Sequence, residues 1–161
     1  AYSGRREADE SLVTFTSEPL SSDVHVAGFP VVTLLLATPG ADGAVYAYLE
    51  DVAPDGAVTY VTEGCLRFVH RETTGPADPS GLGVPRSFAR GDGLAVEPGE
   101  ELELAVELLP VAALFRAGHR LQVAIAGHDA SCFERYGPSE ETFTVRLGRP
   151  SMLDLPVLTD G

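Results

Sequence analysis

The residues best suited to chemistry stand at Gly127-His128-Asp129-Ala130-Ser131, where a histidine, an acid and a hydroxyl follow one another closely. Together these types perform acyl transfer: the imidazole draws the proton from serine while the carboxylate orients the imidazole. The spacing is unsuited to it. Neighbouring His128 and Asp129 point apart in extended backbone, and a working triad is assembled from distant segments. A nucleophilic serine also needs the sharp Gly-x-Ser-x-Gly elbow that exposes its hydroxyl, and no such pentapeptide occurs. The segment reads as a polar loop after a strand, and no catalytic residue is assigned.

Metal chemistry has little footing either. His25, His70, His119 and His128 never stand two, three or four apart, and Cys-x-x-Cys is absent, so a zinc site is not expected. Asp42, Asp51, Asp55, Asp78 and Asp92 occupy turn sequences of the kind that offer calcium its oxygen ligands. Each has a local task beside glycine or proline, however, and no ligand-spaced loop appears. Sugar sites usually present an aromatic platform, yet tryptophan is absent, Tyr46, Tyr48 and Tyr60 lie in strands, and Tyr2 and Tyr136 are isolated. No metal or other cofactor is expected. An independent carbohydrate- or calcium-binding module stands as the alternative function.

The remaining conspicuous residues bend and brace a sheet. Val45 to Arg71 reads as two long strands around a tight turn, followed by a third strand. In Ala53-Pro54-Asp55-Gly56 proline sets φ, aspartate suits the next position, and glycine accepts the positive φ that returns the chain to a strand. Leu66 and Phe68 alternate with Cys65 and Arg67, marking two unlike faces, and Cys65 is expected to be a small buried residue. In Gly118-His119-Arg120 glycine turns the chain and Arg120 pairs with an acid such as Glu63 or Asp51. Arg67 and Arg71 are expected to tie carboxylates and carbonyls across sheet edges.

Other strands must cover this hairpin. Residues 1–11 form a polar lead-in. Strands are expected at Leu12–Thr16, Asp23–Ala27 and Val31–Ala37, with turns at Gly28-Phe29-Pro30 and at 39–43. Glu72 to Leu94 is a long excursion with one strand near Ser87. Glu101 to Leu108 alternates strictly, which decides for strand over helix. Pro110 to Phe115 makes one helical turn that Gly118 ends. His119–Ala126, Thr142–Leu147 and Met152–Leu155 complete the set, around a loop from Gly127 to Ser139. Many short strands with regular turn signals predict an all-β sandwich with little helix, one domain over 12–161.

Composition agrees. The chain has 161 residues, 44% of them hydrophobic, and one this long buries roughly 70% of its unfolded surface. A net charge of −13 excludes nucleic acid, whose phosphates it would repel, and anionic membrane surfaces. No run approaches the ~18 apolar residues that span a bilayer. Cys65 and Cys132 are too few for a disulfide scaffold, and a bridge between them is not expected. The chain opens at Ala1 without methionine, so a processed or excised fragment is expected, and its compartment stays open.

Several blocks carry a family resemblance: Leu49-Glu50-Asp51-Val52-Ala53-Pro54-Asp55-Gly56, then Thr62-Glu63-Gly64-Cys65-Leu66-Arg67 with Arg71. It returns at Thr16 to Leu20, Gly28 to Val31, Phe115 to Leu121 and Ser151 to Val157. In this order they resemble the C-terminal domain of the CocE/NonD serine hydrolases, which include cocaine-esterase-like enzymes, cephalosporin and glutaryl acylases, and Xaa-Pro dipeptidyl-peptidases. The resemblance implies a jelly-roll β-sandwich, galactose-binding-domain-like, without catalytic residues of its own. It implies as partner an α/β-hydrolase catalytic domain in the same polypeptide, which carries the serine, aspartate and histidine. Members usually have further strands before this point. A sandwich cut from such an enzyme exposes an apolar patch or an unpaired edge, so a symmetric homodimer is expected.

Overall fold

The computed structural model describes residues 9–78, 83–128, 142–146, 148 and 151–158. Its strands are β1 (Val13–Thr16), β2 (Val24–Gly28), β3 (Val31–Ala37), β4 (Ala44–Val52), β5 (Val58–Arg67), β6 (Glu101–Glu107), β7 (Val111–Phe115), β8 (Arg120–Ala126), β9 (Thr144–Arg146) and β10 (Met152–Asp154). One layer is ordered β1-β8-β4-β5, and the other is ordered β10-β3-β6 with β9 also on β3. The strands β2 and β7 form a ribbon of their own. Every named pairing is antiparallel. The protein is an all-β sandwich.

Alternation assigns the faces. Val45, Ala47 and Leu49 of β4, Val123 and Ile125 of β8 and Leu66 of β5 enter one core cluster. Val32, Leu34 and Leu36 of β3 and Leu102, Leu104 and Val106 of β6 meet them there. Each buried valine, leucine or isoleucine among them favours folding by about 1.5–3 kcal/mol, so this interior holds the layers together. The other face of β4 is covered too: Ala44, Tyr46 and Tyr48 pack with Ala124 and Ala126, and Tyr60 lies against them. Also on that face, Gln122 Nε2 donates to the buried Glu50 (2.9 Å) and to Asp9 (3.3 Å). Thr16 Oγ1 donates to Gln122 Oε1 at 2.8 Å. A buried amide is tolerated because its hydrogen-bonding groups are used.

Five expectations change. Residues 110–115 are not a helical turn: Val111–Phe115 is a strand registered on β2 from Gly28↔Val111 to Val24↔Phe115. Pro110 stands just outside the ladder, where its missing N–H costs nothing, and Gly118 (φ +83) turns the chain between β7 and β8. The third strand of the opening hairpin is the end of β5, which runs unbroken to Arg67 before a 3-10 turn at Phe68–His70. No strand forms near Ser87 among the described residues; Arg90–Asp92 is a 3-10 turn. Cys65 is exposed, because inward Leu66 commits its neighbour to the outer face. Asp9, placed in the polar lead-in, is buried. Residues 1–8, Leu147 and the loop beyond His128 that includes Cys132 lie outside the described residues.

Candidate functional site

The sequence-selected residues fall into two groups, one at the β4–β5 hairpin and the other from the middle of β5 to just beyond its end. Asp51, Pro54, Asp55, Gly56, Gly118, His119 and Arg120 meet at the hairpin end. Gly56 takes φ +83 and donates its N–H to Ala53 O at 2.8 Å, while Asp55 Oδ1 accepts from Ala57 N at 3.0 Å. The β7–β8 turn lies against this hairpin: a Cβ on Gly118 would come within 3.8 Å of Pro54 Cγ. His119 Nδ1 donates to Asp51 at 2.8 and 3.0 Å.

Arg120 does not take the expected acid. Its Nη1 donates to Ser17 O at 2.8 Å, with Glu18 at 3.8 Å. The reason is register: Arg120 stands opposite Val52 on β4, and the segment after β1 lies within its reach. Segment 17–20 is sewn on further by Leu20 N to His119 O and Gly118 N to Leu20 O, both 2.8 Å. Beside it, Asp23 accepts from Ala117 N (2.8 Å) and Arg116 (3.0 Å). The backbone N–H, and then the guanidinium, hold the Asp23 carboxyl below its ordinary pKa.

Glu63, Gly64, Arg67 and Arg71 form the second group. Arg67 grips Asp42 through Nε (2.9 and 3.2 Å) and Nη2. Arg71 donates to the carbonyls of Phe68 (3.3 Å), Leu94 (3.1 Å) and Ala95 (2.9 Å), and lies 3.4 Å from Glu100. Glu63 O accepts from Leu109 N at 2.8 Å, and Gly64 faces the backbone at Glu107. Sequence reasoning missed Arg86, which donates to His70 O (2.9 Å) and Ala105 O (2.6 Å) and so ties the 72–94 excursion to β6. Burial lowers its pKa and Glu107 opposes that shift. Its only sequence signal was an arginine inside a stretch without period.

Chemically the hairpin corner stops at a dyad. Ser17 is the nearby hydroxyl, but its Oγ donates to Glu18 O and accepts from Leu121 N, while the contacts of His119 run to Asp51. Among the described residues no group of three or more His, Cys, Asp or Glu gathers as metal ligands do. Carboxylates, imidazole and guanidinium are here spent on the protein's own backbone and turns.

A family model described as the X-Pro dipeptidyl-peptidase C-terminal non-catalytic domain matches residues 1–153. The chain belongs to that family. Among its relatives are candidate serine esterases of Mycobacterium bovis and Mycobacterium tuberculosis, each 43% identical over 98% of this chain and 26% of their own length. The cocaine esterase of Rhodococcus sp. is 26% identical over 83% of this chain and 20% of that enzyme. Among solved structures, a CocE/NonD family hydrolase from Staphylococcus aureus superposes with a TM-score of 0.74 at 20% identity, covering 93% of this chain and 31% of that one. An alpha-amino acid ester hydrolase gives 0.67 at 20% identity, over 97% and 27% respectively. These two likenesses concern the fold. The chain spans about a quarter of the length of the mycobacterial relatives it matches.

As an X-Pro dipeptidyl-peptidase C-terminal domain, the protein carries one described thiol whose surroundings are unusual. Cys65 opens into a depression of about 220 Å³ lined by Tyr46, Tyr48, Glu63, Glu107 and Leu109. Solvent reaches the residue, yet burial of the sulfur and then the Glu63 carboxylate push its pKa up. The folded state therefore favours the neutral thiol, and the stability this confers is present below the ordinary thiol pKa and lost as pH rises from there through the raised folded-state value. Cys65 should alkylate more slowly in the folded chain than in urea at pH 8, and the gap should narrow as pH rises. Peptide mapping after timed iodoacetamide treatment measures this; equal rates at pH 8 would contradict it.

Proposed function

We propose that this domain is the accessory, non-catalytic part of an α/β-hydrolase-type serine hydrolase, stabilising the catalytic domain of the same polypeptide and bordering its substrate cleft. The observation that carries this is the match over 1–153 to a non-catalytic domain, in relatives named as esterases that are about four times longer. The parent reaction is acyl transfer to water: serine attack, an acyl-enzyme, then hydrolysis of an ester or amide. The asparto-histidine corner and the arginine clasps are structural in this reading, fixing the faces that meet the catalytic domain. The sandwich belongs to one domain over 12–161 in the jelly-roll, galactose-binding-like arrangement. Support comes from the β1-β8-β4-β5 order, in which β8 is inserted between β1 and β4, both far from it along the chain.

Purified alone, the 161-residue chain should not hydrolyse p-nitrophenyl esters. Turnover that survives clean purification would overturn the assignment. A glycan array and a calorimetric calcium titration should both be blank, since a binding module would answer one of them. The reading frame ahead of this segment should encode a Gly-x-Ser-x-Gly elbow. Self-association of the isolated chain into a homodimer also forms part of the proposal, with sedimentation as its check.

A further inference from the structure

The described part of the excursion between β5 and β6 is built as a rigid display. Arg71 clasps Leu94 O and Ala95 O at its far end, where Leu94 N also reaches Val69 O at 2.9 Å. Arg86 pins its middle to His70 O and Ala105 O. Ser87 Oγ donates to Asp92 Oδ2 and accepts from Ala89 N at 3.1 Å. Between these fixings stands Phe88 at φ +52, the one non-glycine among the described residues in the left-handed region. Phenylalanine has no polar atom to ease that conformation, as asparagine would.

Burial does little to offset that strain. Phe88 is 60% exposed, and among the described residues its ring contact is with His70, edge-on with centroids 5.5 Å apart. Beside it lies a cavity of about 470 Å³ whose lining includes Thr74, Arg86, Asp92 and Leu94. A strained aromatic held in the open by a locked loop is what a preformed interface anchor looks like. The ring loses little entropy on docking, and the polar rim supplies hydrogen bonds.

We propose that Phe88 and this cavity are the contact through which the domain docks on the hydrolase part of its own polypeptide. The inference rests on the function proposed above and names the face that serves it. The partner follows from the relatives: about three quarters of their length lies outside the matching segment. A tethered partner is present at high effective concentration, so one aromatic anchor is enough. The other exposed apolar side chains, such as Val13, Leu109 and Met152, lack a strained setting of this kind. The hydrolase part should present a shallow apolar pocket rimmed by hydrogen-bonding groups.

The test compares Phe88→Asn and Phe88→Tyr in the isolated chain and in the full polypeptide. Asparagine accepts the positive φ, so the isolated Phe88→Asn chain should unfold at the wild-type temperature or above it. In the full polypeptide the same change should split the joint unfolding transition in two, and Phe88→Tyr should keep it joint. Amides 87–94 should exchange about tenfold or more slowly in the full polypeptide than in the isolated chain. A full-length Phe88→Asn protein that unfolds like wild type, with equal exchange in both forms, overturns the docking face and leaves the accessory role standing. Loss of stability in the isolated chain overturns it as well, by showing that the ring serves internal packing. A reading frame without a hydrolase elbow overturns both, and is read before any variant is made.

Discussion

Gly64→Ala should cost the domain about 3 kcal/mol or more, well beyond the usual effect of one added methyl. A Cβ at Gly64 would stand 2.0 Å from Glu107 O, 2.9 Å from Glu107 C and 3.0 Å from Leu108 Cα. All three are backbone atoms, so no side-chain rotation relieves the clash. The crossing is tied on both sides: Leu109 N donates to Glu63 O and Thr62 Oγ1 donates to Leu109 O, each at 2.8 Å. Leu108 N adds a bond to Pro30 O at 2.9 Å. Relief would require β5 to part from the connection between β6 and β7, breaking the bonds that join the layers there. In urea the midpoint should fall with the slope unchanged. Gly99→Ala is the control: its glycine has φ +83 but nothing within 4 Å of the added carbon, so only about 1 kcal/mol of backbone strain is at stake. Equal losses at the two positions would refute the steric account.

The second large effect is expected at Phe115. Its ring is 1% exposed and belongs to the main core cluster, and it ends β7 opposite Val24. Phe115→Ala should remove about 3–5 kcal/mol, the sum of lost transfer energy and the cavity left behind. Calorimetry should show the melting temperature lowered by about 10 °C or more. A loss below ~1 kcal/mol would mean that the neighbours close over the gap, and that the core is looser here than its burial indicates. The contrast with Phe88 is instructive. The same residue type supports the fold at one position through burial and burdens it at the other, where an exposed ring sits on a left-handed backbone.

Much of the sheet was legible because alternation is a local signal. Val31–Ala37 and the Glu101–Glu107 strand were readable from apolar runs and strict period two. Proline and glycine at Pro54 and Gly56 announced their turn because their own dihedral limits demand it. Residues 110–115 were misread for the opposite reason. Val-Ala-Ala-Leu-Phe after proline satisfies a helical turn as well as a strand, and only the arrival of β2, more than eighty residues earlier in the chain, decides between them. Cys65 was placed inside on residue type, although its own neighbour Leu66 already assigned it to the outer face.

The site was less legible than the fold. That arginines would bind carbonyls and carboxylates is chemistry any guanidinium carries, yet which ones is a matter of distance. Arg67 found Asp42, Arg120 found Ser17 O, and His119 took the Asp51 that Arg120 was expected to hold. Arg86 and Phe88 passed unnoticed because neither sits in a periodic segment.

By itself, then, the sequence determined the strand class, most strand positions, the turn at Pro54 to Gly56 and the family, since each depends on neighbours in the chain. Only the tertiary structure decided the partners of the arginines, the need for glycine at position 64 and the exposure of Phe88. Those depend on which backbones approach across the sandwich, and contacts between residues distant in the chain leave no periodic trace in it.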